Sequence, residues 1–192
     1  MQFRLIAAAL AASLAAGAHA SVVYSDDFNA DAQALNAVPA GWGVANGTVD
    51  VIGTGYFDEV PGNGNYIDLD GSTYQAGVLS HTVTGVADGD YTVSFQLAGN
   101  QRSAGPDVVD VVFGGTTHQY TLADNAPLTT FTLSTHASGG SLGLSFHDLG
   151  GDNQGAILDN VSVSSAVPEP ASGALLLAGL GALGFAARRR KN

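Results

Sequence analysis

Asp90–Ala98 reads Asp-Tyr-Thr-Val-Ser-Phe-Gln-Leu-Ala, and its alternation decides the fold class. Tyr91, Val93, Phe95 and Leu97 fall on one parity, Thr92, Ser94 and Gln96 on the other. Successive side chains of a strand point to opposite faces, so this period of two predicts a strand with one buried and one wet face. The same pattern recurs on both sides of it. Leu128 to Ser134 turns Phe131 and Leu133 inward, and Ser141 to His147 does the same with Leu142, Leu144 and Phe146. Asn65 to Asp70 sets Ile67 and Leu69 against Asp68 and Asp70, which are expected on a solvated face. Asp107 to Phe113 is apolar on both parities, as a central strand would be.

Between these runs lie Gly, Asn and Asp clusters. Asn46-Gly47, ahead of Thr48 to Ile52, and Asp88-Gly89, ahead of the Tyr91 strand, are dipeptides that readily take the positive φ of tight turns. Eight to ten short strands follow from Val22 to Val163, the spacing of a β-sandwich or jelly roll. In the last, Gly155 to Ser164, Asp159 shares its parity with Ile157, Val161 and Val163 and points to the core side. A carboxylate there needs compensation. Backbone N–H donors supply it, or a cation does, or the residue sits at a bulge.

Charge narrows the function. Residues 21 to 167 hold sixteen acids, all Asp except Glu59, against one base, Arg102, a formal charge of −15. Binding to a phosphate backbone depends on Lys and Arg displacing counterions, so a nucleic-acid partner is excluded. Short carboxylates suit turns, and they also suit hard, oxygen-ligated cations such as calcium. With no cysteine in the chain, disulfides, thiolate metal sites and cysteine nucleophiles are ruled out. A domain of this length holds itself together by core burial instead.

Both ends read as addresses. Residues 1–20, MQFRLIAAALAASLAAGAHA, have one positive charge, an apolar Ala-Leu run and small residues at Ala18 and Ala20, the pattern of a signal peptide cleaved after Ala20. At the other end, Pro168-Glu169-Pro170 precedes a charge-free run over 171–187 and the cations Arg188, Arg189, Arg190 and Lys191. Seventeen helical residues span about 25 Å, just short of a hydrocarbon core of about 30 Å. Pro170 stops such a helix, and the basic tail keeps its end in the cytoplasm, leaving the rest of the chain outside.

Val167-Pro168-Glu169-Pro170, the apolar helix and the terminal basic cluster together resemble the PEP-CTERM sorting signal. The resemblance covers residues 166–192 and implies an exosortase substrate, processed at or near Pro168-Glu169-Pro170 in a bacterium that makes exopolysaccharide. The expected location follows: exported, briefly anchored in the inner membrane with the domain in the periplasm, then cell surface or extracellular matrix.

Within 21–165, the stretch GNGNYIDLDGSTYQAGVLSHTVTGVADGDYTVSFQLAGN (62–100) and the later GAILDNVSV (155–163) resemble choice-of-anchor domains related to galactose-binding-like jelly rolls. That resemblance implies a β-sandwich that often binds structural calcium and, in distant relatives, carbohydrate. It also implies that Asp26-Asp27-Phe28-Asn29 lies near the last strand, which makes Asp27 and Asp159 candidate calcium ligands.

No catalytic constellation emerges. Asp68-Leu69-Asp70-Gly71 fails the EF-hand register, which would need an oxygen ligand at Tyr66 and Glu at Gly77. No Gly-x-Ser-x-Gly occurs, His81, His118, His136 and His147 are scattered, and Lys191 is the only lysine. The acids offer many pairs and single out none. Trp42, between Gly41 and Gly43, either plugs one end of the sandwich or stacks on a sugar ring. The sequence therefore predicts an all-β, non-enzymatic exported protein associated with exopolysaccharide. A carbohydrate-binding module and a hydrolase with an unrecognised carboxylate pair are the alternatives.

Overall fold

The computed structural model describes residues 20–165. Nearly all of the expected signal peptide, the Pro168-Glu169-Pro170 motif, the helix over 171–187 and the tail Arg188 to Lys191 lie outside the described residues. Ten strands form: β1 (Ser21–Asp26), β2 (Ala34–Ala37), β3 (Gly43–Ala45), β4 (Val49–Gly53), β5 (Asn65–Asp68), β6 (Val78–Ala98), β7 (Asp107–Phe113), β8 (Thr116–Leu122), β9 (Thr129–Asp148) and β10 (Ile157–Ser165). There is no helix among the described residues.

β6 and β9, 21 and 20 residues long, pair antiparallel from Val78↔His147 to Leu97↔Thr129. They bend together where β6 shifts register between Thr84 and Val86, facing Gly140. Gly85, Gly139 and Gly140 all have positive φ there, at 72°, 88° and 89°, which a side chain would resist. The bend divides each strand between two layers. One layer runs β3, the first third of β6, the last third of β9, β7 and β8; the other runs β2, β4, β5, β10, the rest of β6 and the rest of β9.

The layers meet through the inward parities read from the sequence. Tyr91, Val93, Phe95 and Leu97 are buried on one side, Leu142, Leu144 and Phe146 on the other. Phe95 and Phe146, one from each layer, stand edge to face with ring centroids 5.2 Å apart. β7 lies between β8 and β9 as a central strand, with Val109, Val111 and Phe113 inward.

Three local expectations are corrected. Asp88-Gly89 makes no hairpin; it lies inside β6, paired with Ala137 and Ser138. The runs around Phe131 and Phe146 are one bent strand, since Gly139-Gly140 redirects the chain without reversing it. Asp68 and Asp70 are not solvated: they are 2% and 0% exposed, because β5 ends under the loop that leads into β10. Asn46-Gly47 does turn the chain, with Asn46 at φ 60°.

Phe146→Ala is expected to destabilise the fold by about 3–5 kcal/mol, since it removes the ring that joins the layers. Urea unfolding followed by tryptophan fluorescence checks this, and a loss below about 1 kcal/mol would place the joint elsewhere.

Candidate functional site at the loop end of the sandwich

β5, β6 and β9 end, and β7 and β10 begin, at the same end of the sandwich, where most of the buried polar side chains also lie. Asp68, Asp70, Asn100, Asp107 and Asp148 are all buried there. Their partners are mainly backbone N–H groups of the Gly-rich loop 149–156. Gly150 N–H donates to Asp148 Oδ1 (2.7 Å) and Ala156 N–H to Asp148 Oδ2 (2.9 Å). Asp152 and Asn153 N–H donate to Asp70 Oδ2 (2.9 and 3.2 Å), and Gly155 N–H to Asp68 Oδ1 (3.0 Å). A segment almost without apolar side chains is thereby fixed by three carboxylates, each acting as an Asx-type acceptor.

Arg102 is the cation of this end. Its guanidinium donates to Asp68 Oδ2, lies 3.5 Å from Glu59 and reaches the Asn153 carbonyl at 3.3 Å. Asn100 places it: the Asn100 side chain accepts the Arg102 N–H (2.8 Å) and donates to Asp107 (3.1 Å). One arginine does not neutralise four acids. Burial pushes Asp68 up to about 8, only partly offset by Arg102 and the Asp70 and Gly155 N–H groups. Burial also pushes Asp148 up to about 6, with the charges of Asp107 and Asp70 adding to it. Asp70 and Asp107 are raised by burial as well.

Asp107 and Asp148 line a cleft of about 310 Å³ together with Gln119, Leu149, Asp152 and Gln154. Leu149, at its rim, is 47% exposed.

The residues singled out from the sequence lie elsewhere. Trp42 is 7% exposed and packs against Phe28, His81 and Phe146, with its indole N–H donated to Asp26 Oδ2 at 2.8 Å. It is a plug in the core, and of the two roles it has no open ring face for a sugar. Asp159 is buried at a register shift in β10, with its oxygens accepting the Asn160 N–H (2.6 Å) and side-chain amide (3.0 Å). N–H donors and a bulge thus both occur there. Asp27 is exposed and caps Asn29 at 3.2 Å. The two acids are close enough to interact: beyond burial, the charges of Asp27 and Asp26 help push Asp159 up to about 6. Among the described residues, no three His, Asp or Glu gather at metal-ligating spacing. Sequence reasoning missed Arg102 as the partner of Asp68. The signal was there, since a lone base among sixteen acids must face some of them.

The raised carboxyls favour the folded state when protonated, so their contribution is full below the usual carboxylate range and is lost as pH rises through about 6 to 8. In chelator, Tm is therefore expected to be higher at pH 5 than at pH 8. Arg102→Ala should cost on the order of 2–3 kcal/mol at pH 8, and less at pH 5, where Asp68 takes a proton instead. Thermal melts of both proteins across that range check the sign, and a Tm that rises steadily from pH 5 to 8 would refute it.

Residues 166–191 match the PEP-CTERM protein-sorting motif. No curated protein sequence matches the chain. Among solved structures, the CBM22-1 xylan-binding domain of Paenibacillus barcinonensis Xyn10C is similar at 17% identity, covering 80% of this chain and 99% of that one, with a TM-score of 0.52. The K3 adhesin domain of Lys-gingipain from Porphyromonas gingivalis is similar at 16% identity, covering 77% and 100%, with a TM-score of 0.50. The chain thus carries a PEP-CTERM sorting motif, which implies an exosortase substrate, and an all-β sandwich domain similar in fold to that xylan-binding domain and that adhesin domain.

Proposed function

We propose that this is a non-enzymatic exported protein, sorted by exosortase to the cell surface or matrix, whose loop-end cleft binds polysaccharide. The observation that carries the reading is the cleft itself. Gln119, Asp152 and Gln154 offer acceptors and donors suited to sugar hydroxyls, and the exposed Leu149, with Ala104 and Pro106, borders them with apolar surface. The fold shared with a xylan-binding domain agrees with it. Hydrolysis is disfavoured, because Asp107 and Asp148 each have both oxygens engaged by N–H donors and serve to hold loops. The domain's strong negative charge argues for neutral polymers over uronic-acid-rich ones.

Two measurements test the parts separately. The full chain in mild detergent should bind a neutral polysaccharide saturably, and Gln154→Ala should weaken that binding about five- to tenfold. Saturable binding to none of a broad neutral panel, or binding indifferent to Gln154, would sink the cleft reading. Mass spectrometry of material recovered from the native host should find chains ending near Pro168-Glu169-Pro170. Chains still ending in Asn192, and present in the cytosol, would remove the sorting reading.

A further inference from the structure

β10 stops just short of the sorting motif. Ser165 is its last residue, and only Ala166 and Val167 separate it from Pro168 in the chain. Three residues of extended chain reach at most about 11 Å, so the motif is tied to the last strand with almost no slack. Nor is β10 an edge from which chain lifts freely, since β6, β5 and β1 all pair with it.

The strand is built in two parts. Ile157, Leu158 and Asp159 pair with Ala98, Leu97 and Gln96; after a register shift, Ser162, Val163, Ser164 and Ser165 pair with Ser94, Val93, Thr92 and Tyr91. Asn160, at the shift, has φ 49°, a left-handed setting that a side chain resists. The ladder is therefore interrupted between the two runs, and the second can open while the first stays paired. Val161 and Val163 anchor that second run in the core, whereas Ser162, Ser164 and Ser165 are only half-buried.

Extended peptides are commonly recognised as an added strand, through main-chain N–H and C=O groups that pair with the binding protein. An enzyme that grips the chain on both sides of a bond in this way needs those groups free. In residues 162–165 they are already committed to β6. We infer that residues 161–165 are a clasp that must peel from β6 before exosortase can engage the motif, so that the folded domain slows its own processing. The inference rests on the sorting reading and adds its regulation. Proteolysis through a transiently opened segment follows the population of the open form, and here that population is set by the short run beyond the bulge rather than by the stability of the whole domain.

Pulse–chase of the full chain in the native host, read by mass spectrometry of the carboxyl end, tests this. A Gly-Ser-Gly-Ser insert between Ser165 and Ala166 gives the motif its own slack and should raise the processing rate by about fivefold or more. Thr92 and Ser164 are direct partners, so Thr92→Cys together with Ser164→Cys ties the clasp to β6 by a disulfide in an oxidising compartment. That pair should slow processing by about tenfold or more, and a reductant, or the same insert added to it, should restore the rate. An unchanged rate in the insert variant or in the bridged one would overturn the inference. So would a bridged variant that stays slow with the insert in place, because slack would then not be what limits processing. If no form is processed, the insert variant included, the sorting reading falls and this inference falls with it.

Discussion

The pairing of β6 with β9 is the constraint from which the rest of the molecule follows. Each strand is about 20 residues long, beyond what one layer of a small sandwich holds, and the two stay in register through a shared bend. Because they bend together, both layers are built on one continuous antiparallel pair. β3, β7 and β8 attach to one side of the bend and β10, β5, β4 and β2 to the other. The inward parities on either side of the bend then face each other, which is why Phe95 and Phe146 meet in the middle. Without the positive-φ glycines at 85, 139 and 140, the same strands would extend as one flat ribbon with an apolar face on water.

The pair also determines where polar groups gather. Its C-terminal β6 end and its C-terminal β9 end belong to different layers, yet the cleft draws on loops next to both, because β7 and β10 begin beside them. Asp68, Asp107 and Asp148 stand at strand ends for that reason, and their burial comes from the loops folded over them rather than from the sheet. The buried acids are a consequence of topology that the loops have put to use.

This explains what the sequence could and could not reveal. Tyr91-Val93-Phe95-Leu97 and Leu142-Leu144-Phe146 were legible because alternation is local, and one sheet face must be dry. The continuity of β9 through Gly139-Gly140 was not, since two glycines signal a turn and a bend alike, and only the partner strand decides between them. Asp68 and Asp70 misled for a similar reason: they occupy the polar parity of β5, but whether that parity meets water depends on residues 149–156, far away in the chain. Trp42 flanked by glycines suggested a loop open to ligand, yet its burial depends on Phe28, His81 and Phe146 arriving from three other segments. Asp159 was the easier case, because its own strand supplied both the inward parity and the Asn160 donor.

Why a fold should bury carboxylates where apolar residues would cost less has an answer in loop 149–156. Leu-Gly-Gly-Asp-Asn-Gln-Gly-Ala contains one large apolar side chain, and that one, Leu149, is exposed. Such a segment has no hydrophobic anchor and would remain mobile at one wall of the cleft. Apolar substitutes for Asp68, Asp70 and Asp148 would be cheaper to bury but would leave five main-chain N–H groups of the loop without acceptors. The carboxylates replace the missing anchor: they fix the backbone from beneath and leave the side chains of Asp152 and Gln154 facing the cleft. The cost is a surplus of negative charge that Arg102 alone cannot balance, so the same choice that orders the wall also makes the site respond to protons.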